Sequence, residues 1–364
     1  MRYKTGSLSL SLSCKRARIL RCGIDVCVRA FVYKELIPKF YSEYKDDAEM
    51  RMVEAFLCCD PPSACEIFEQ FNLSVIIVAT TRYNIGRSRR SRWEAWNARL
   101  TALAAQPWNV VAANNRYDVE YLRYFTGLEA QLLPSTCDYA ARQAVYNPTR
   151  RGFLLWMRPR DEANFERYFL SEWEKTVAPA DADLLTPVRR IYPIYKFSDL
   201  AAHRGIVHLP YQASVMATLE QYRMNIPLFF PARELLIRWH LERFVLHERS
   251  ESPPRNPRYV RRPLRGSNVP PHPSQRHRPD PNNDLDAAAV RYWLQYADFY
   301  ALPHIVYFNS TEHLAALLRS IRDVELRTIS RRMRRHNVSN RRRVLKPWKH
   351  NLLSVRHYSA TTNR

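Results

Sequence analysis

Four side chains that could hold a small polar molecule lie within ten residues of one another: Tyr211, Gln212, Ser214 and Glu220. They belong to GIVHLPYQASVMATLEQYRMNIPLFFP, Gly205 to Pro231. This stretch reads as an apolar strand (Ile206 to Leu209), a polar turn (Pro210, Tyr211, Gln212), a helix (Ala213 to Met224) and a second apolar strand (Ile226 to Phe230). That is the grammar of one βαβ crossover, and such units build parallel sheets. Ligands of parallel sheets sit beyond the carboxyl ends of the strands, where Tyr211, Gln212 and Ser214 fall, with Glu220 two turns further along the helix. A small-molecule site is expected there.

The same pattern recurs upstream. Phe71 to Thr80 holds four consecutive β-branched residues, which need apolar cover on both faces, and it ends in Thr80, Thr81, Arg82 and Tyr83. Trp93, Trp96, Leu100 and Leu103 repeat at helical spacing. Asn109 to Ala113 is a strand ending in Asn114 and Asn115, followed by a helix from Asp118 to Tyr124. Pro134 and Pro148 bracket a connector, after which the pattern restarts: strand Phe153 to Trp156 ending at Met157, Arg158 and Pro159; helix Asp161 to Lys175; strand Arg190 to Tyr195; and a short helix from Ser198 capped by Ser198 or Asp199. Beyond Phe230 come a helix to Leu246, a helix from Asp286 to Tyr296, the strand His304 to Phe308 and basic helices. Two α/β domains are expected, 1–147 and 148–364, each a Rossmann-like doubly wound parallel sheet, facing across a cleft. The first 50 or so residues resist placement, apart from strand-like residues at 19–33.

The net charge of +22 is concentrated away from these elements. Residues 249–278 carry eight Arg against one Glu, residues 319–364 carry fourteen Lys or Arg against Asp323 and Glu325, and six more cations lie in the first 22 residues, so the rest is slightly acidic. The nine prolines between Pro253 and Pro281, with few apolar residues, predict a disordered basic insertion over 249–283. A solvated basic loop and tail are favoured over nucleic-acid binding. Seven cysteines show no zinc-type spacing, although Cys65 and Cys137 could pair in an oxidising compartment. Sequons at Asn72, Asn309 and Asn337 point weakly to such a compartment. No stretch reaches the length of a membrane span. Arg16, Arg18, Arg21, Asp25 and Arg29 interrupt any signal-peptide core. The expected location is the cytosol, unless a native leader is missing.

With seven glycines in the chain there is no GxGxxG and no GxxxxGK[ST], and no GxSxG elbow either. Dehydrogenases of the usual dinucleotide type, P-loop enzymes and α/β-hydrolases are disfavoured. Ser214, Glu220 and Asn225-Ile226-Pro227, on a helix between two strands, resemble the donor-binding segment of GT-B glycosyltransferases, in which Ser, Glu and Gly-x-Pro recur in that order. Asn225 stands where the family has Gly. Asp298 to Leu318 is similar to that family's closing strand and helix.

The resemblance implies transfer of a sugar from a nucleotide-sugar donor to a carbohydrate or glycoconjugate acceptor, without a metal, in the endomembrane lumen. It implies that Glu220 accepts from the donor ribose hydroxyls. A diphosphate needs cations or amide donors. Arg158 is placed for it, with Lys196 or Arg190 as alternates, and Tyr211, Gln212 and Ser214 complete the donor set. Each has a structural alternative: a solvated cation at Arg158, a packed ring at Tyr211, and for Glu220 a pair with Arg223 or Arg233. An inverting reaction needs a general base, and Asp118 is the best-placed carboxylate, with helix capping as its competing role. Arg82, Asn114 and Asn115 are expected to contact acceptor or donor. The letters of Asp181-Ala182-Asp183 match a metal-binding triplet, but in a Pro/Ala loop. The competing hypotheses are a nucleic-acid or anionic-surface binder using the Arg-rich insertion and tail, and a GT-B-like scaffold without catalysis.

Overall fold

The computed structural model describes residues 19–21, 36–157, 163–248 and 262–362. The chain divides into two compact units, each discontinuous in sequence: Met1–Pro134 with Asn268–Arg278 and Arg343–Arg364, and Ser135–Ser267 with Pro279–Arg342. The division at Pro134 falls at the first proline of the connector.

Unit 1 holds five parallel strands, β1 (Ile19–Arg21), β2 (Ala55–Cys58), β3 (Ser74–Ala79), β4 (Val110–Ala113) and β5 (Gln131–Leu132), side by side in chain order. Every residue of β3 is buried, as its β-branched run requires. Alternation along the strands separates two apolar faces. Ala55, Ile76, Val78, Ala112 and Leu133 form one, closed by Trp348, Leu352 and Val355 of the final helix Asp323–Thr362. On the other, Phe56 stacks on Phe68 of the 3-10 helix Pro62–Phe71, ring centroids 4.1 Å apart. The one-directional strand order explains this division. Right-handed crossovers that always advance the same way put their connections on one face, leaving the other for a distant segment. The doubly wound expectation is therefore corrected for unit 1, whose described strands show no reversal of order.

Unit 2 also has five parallel strands: β6 (Phe153–Trp156), β7 (Leu185–Pro187), β8 (Ile206–His208), β9 (Leu228–Pro231) and β10 (Val306–Phe308), in the order β10-β9-β8-β6-β7. From β7 the chain returns across β6 to lay down β8, so the order reverses between β6 and β8. Pro187 is tolerated because β7 pairs with β6 alone, as an edge strand. The strand expected over Arg190 to Tyr195 is a correction: the short helix Val188–Ile191, directly after Pro187, takes its first two residues, and 192–195 form no strand.

Asn225 has φ of 62°, the left-handed conformation that favours glycine. It follows the helix Met216–Arg223, where Asn225 N–H donates to Tyr222 O (2.9 Å) and Ile226 N–H to Gln221 O (3.2 Å), the paired bonds of a Schellman ending. Its side-chain oxygen accepts from Asn337 Nδ2 at 2.9 Å, and the same nitrogen donates to Tyr222 O. Asn thus meets the backbone demand that Gly meets in the resembled motif, and adds a side-chain bond.

Two further expectations are corrected. The insertion expected to be disordered over 249–283 lies in part (249–261) outside the described residues, but from Arg262 onward it is built. Asp280 accepts from Ser267 N–H (2.7 Å), Ser267 Oγ (2.7 Å) and Asn282 N–H (2.8 Å), and Val269 is buried. Polar anchors of this kind, with prolines that restrict the unfolded chain, replace the missing apolar burial. Cys65 is bonded to Cys58, not to Cys137, because the turn after β2 returns it to that strand's end. Cys137 is a buried free thiol, pushed up to about 12 by burial and then by the charge of Glu220. Among the described residues no helix is long and apolar enough to cross a membrane.

Candidate functional site

The reversal of strand order in unit 2 creates a local opening, because the connections leaving the adjacent strands β6 and β8 diverge. A cavity of about 200 Å³ lies there. Trp156 and Met157 at the end of β6, Val188 and Arg189 after β7, and Tyr211 and Val215 after β8 line it, with Glu166 from the helix Ala163–Thr176. Trp156 lies edge-on to Tyr195 (5.5 Å, 74°), and the Arg189 guanidinium is 5.6 Å from the Tyr195 ring while donating to Pro193 O at 2.8 Å. The walls therefore present aromatic surface, one carboxylate and one cation.

A stacked column supports β8 behind the cavity wall. His208 stacks on Phe230 (4.5 Å) and Phe230 on Phe299 (4.7 Å). Burial holds the His208 imidazole at about 3, far below the ordinary histidine value, against its hydrogen bond to Gln221 Oε1 at 2.6 Å. The ring is neutral and shares its proton with an amide, so it positions β8 and is no general acid.

The polar turn after β8 is pinned from two sides. His247 N–H donates to Tyr211 O (2.7 Å), Gln212 Nε2 to His247 O (3.2 Å), and Ala213 N–H to Glu248 Oε1 (2.6 Å). Ser214 Oγ donates to Asp298 Oδ2 at 2.5 Å, and Asp298 N–H returns a bond to Ala213 O at 2.9 Å. Of the sequence-predicted donor set, Tyr211 faces the cavity, while Gln212 and Ser214 hold the turn that presents it. Glu220 points elsewhere: its carboxylate accepts from the Tyr139 hydroxyl, and burial and then this bond raise the phenol's pKa. Arg223 and Arg341 both pair with Asp138, at 2.7 and 2.6 Å. Burial alone would raise the Asp138 carboxyl, but the two arginines hold it below the usual range. Arg158 lies outside the described residues. Its alternates, Arg190 and Lys196, are exposed and do not line the cavity.

In unit 1 the structure brings together all four residues singled out at the ends of β3 and β4. The Arg82 guanidinium forks onto Asp118, with Nε–Oδ1 at 2.8 Å and Nη2–Oδ2 at 3.0 Å. Asn115 Nδ2 donates to Asp118 Oδ2 (2.6 Å) and to Asn114 Oδ1 (2.8 Å). Arg82 also lies 4.2 Å over the Tyr117 ring. The helix Arg116–Thr126 starts two residues earlier than expected, and Asn115 caps it by accepting from Asp118 N–H at 2.8 Å. Asp118 is 1 % exposed. Burial lifts its pKa, while Arg82 and Asn115 oppose the shift, and the two-pronged ion pair fixes it as a carboxylate. Such a group organises the strand ends. To abstract a proton it would first have to leave Arg82.

Trp156, Glu166, Arg189, Glu248 and Asp298 escaped the sequence reading as site residues. A signal existed for two of them: Trp156 ends a recognised strand, and Glu166 stands in the first turn of a recognised helix. Arg189 was hidden by the misplaced strand, and Glu248 and Asp298 act from 35 and 84 residues away. Among the described residues, no group of three His, Cys, Asp or Glu side chains could hold a metal ion. Compared with known proteins, the chain matches no family model, no curated protein and no solved structure.

Proposed function

We propose that this protein is a glycosyltransferase that takes a sugar from a nucleotide-sugar donor, with unit 2 as the donor-binding half. The observation that carries the reading is the cavity at the reversal between β6 and β8, the place where parallel sheets bind ligands, with aromatic walls and both signs of charge. Trp156 and Tyr211 receive the base, Arg189 meets the diphosphate, and Glu166 accepts from ribose hydroxyls. Glu220 acts indirectly, by fixing the helix Met216–Arg223 against Tyr139. The acceptor is a carbohydrate or glycoconjugate, and the chemistry needs no metal.

A thermal-shift series with UDP and GDP tests it. At a hundred-fold excess over Kd the bound nucleotide stabilises by about 2.7 kcal/mol. The melting temperature should rise by several degrees in the parent protein and stay flat in Tyr211→Ala and Arg189→Ala. No rise with any nucleoside diphosphate removes the proposal. A second reading, a scaffold that binds nucleotide without transferring sugar, is favoured by one observation: both oxygens of Asp118 are held by Arg82 and Asn115. Nucleotide binding without turnover of a nucleotide sugar would select it.

A further inference from the structure

The portion of the final helix that belongs to unit 2 has a buried side and a charged side. Leu326, Met333 and Asn337 face inward. On the opposite side, Val324, Arg331, Arg335, Val338 and Arg342 recur at spacings of seven, four, three and four residues, which places them on one stripe of an α-helix. Arg327 and Arg334 flank this stripe on one edge and Arg332 on the other, and all three are exposed. Val324 and Val338 are 56 % and 52 % exposed. The acidic residues of this portion, Asp323 and Glu325, stand at its start, paired with Arg204 (3.0 Å) and Arg322 (3.3 Å). Arg341 is neutralised by Asp138. Among the described residues, no carboxylate pairs with Arg331, Arg332, Arg334, Arg335 or Arg342.

We propose that this stripe docks on a membrane surface rich in anionic lipid. The guanidinium groups meet headgroup phosphates and carboxylates, while Val324 and Val338 enter the apolar boundary beneath them. Charge complementarity supplies the attraction, since unpaired arginines on one helix face meet a surface of opposite sign. The interleaved valines decide between partners. A nucleic-acid backbone offers phosphates but nothing apolar to cover them, whereas the headgroup boundary covers both kinds of side chain. The orientation is that of a helix lying in the interface, consistent with a chain in which no described helix is apolar enough to span. The inference does not depend on the glycosyltransferase reading.

The test is co-sedimentation of the full chain with vesicles of phosphatidylcholine alone and of equal parts phosphatidylcholine and phosphatidylserine. Binding is expected to the second alone and to weaken as salt rises. Each arginine near an anionic surface changes partitioning about five-fold, so Arg331→Ser/Arg335→Ser/Arg342→Ser should lose about a hundred-fold. Val338→Asp should lose binding as well, with an unchanged melting temperature showing that the fold survives. The proposal is overturned if the parent binds neither vesicle, or if the triple variant binds as well as the parent. It is also overturned if Val338→Asp binds vesicles normally, and a short DNA duplex that then displaces them would assign the patch to nucleic acid.

Discussion

Replacing Asn225 separates the backbone demand of the β8 crossover from its side-chain chemistry. Asn225→Ala keeps φ near 62° only at the strain of an ordinary L-residue in the left-handed region, about 1–2 kcal/mol, part of which Asn already avoids. It also removes the acceptor of Asn337 Nδ2, a buried bond of 2.9 Å worth about 1 kcal/mol. Asn337 Nδ2 keeps one of its two bonds, to Tyr222 O, while its second N–H loses its partner. The expected cost is about 2–3 kcal/mol. Asn225→Gly loses the same bond and adds about 0.4–1 kcal/mol of unfolded-state entropy, but it carries no strain, for a net loss of about 1.5–2 kcal/mol. Urea unfolding should show both midpoints lowered at unchanged slope, with Ala less stable than Gly by about 1 kcal/mol. Equal losses in the two variants would refute the left-handed assignment. A Gly variant as stable as the parent would refute the bond to Asn337.

The Arg82–Asp118 pair should behave as a unit. Arg82→Ala and Asp118→Ala each leave a buried charge unmatched and cost about 3–5 kcal/mol, whereas the double variant costs well under the sum, and additive losses in chemical denaturation would contradict the ion pair. His208 predicts acid sensitivity. Its folded pKa of about 3 lies below the ordinary 6.5, so the unfolded chain binds the extra proton, and stability is full above pH 6.5 and falls as pH drops towards 3. The slope from this group approaches about 1.4 kcal/mol per pH unit. His208→Asn should flatten the curve in that window, and an unchanged slope would show that the ring is not held neutral.

The strands that read most clearly from sequence are continuous apolar runs that are almost wholly buried. Val75 to Val78, Phe153 to Trp156 and Leu228 to Phe230 are continuous apolar runs because both faces of a parallel sheet are covered, and that pattern survives without any knowledge of partners. β2 escaped because four residues ending at a cysteine pair carry no period, and β7 because its last residue is Pro187, which argues against a strand unless the strand lies at an edge. Edge position is a property of the whole sheet. The cover over unit 1 was equally hidden: Trp348, Leu352 and Val355 follow an arginine-rich run, Arg331 to Arg343, whose helix reads as a solvated basic face.

The site was legible to the extent that chain position fixes strand ends. Tyr211 lies against the cavity because it stands in the turn three residues beyond β8, and Arg82, Asn114, Asn115 and Asp118 meet because β3 and β4 are neighbours whose ends are level, Ala79 beside Ala113. Side-chain direction is another matter. Glu220 sits in the expected helix, yet which neighbour it meets depends on where Tyr139 is carried by a helix 81 residues away in sequence. The cavity itself follows from the return of the chain across β6, and that return is invisible until β7 is in place. With the strand misassigned to Arg190 to Tyr195, Val188 and Arg189 read as connector. With β7 ending at Pro187, the same two residues become the third wall. One edge strand therefore decides both the reversal of order and the cation that faces the cavity, which makes Arg189→Ala the more discriminating probe of nucleotide binding than Glu220→Ala: the first removes a wall, the second a hydrogen bond to Tyr139.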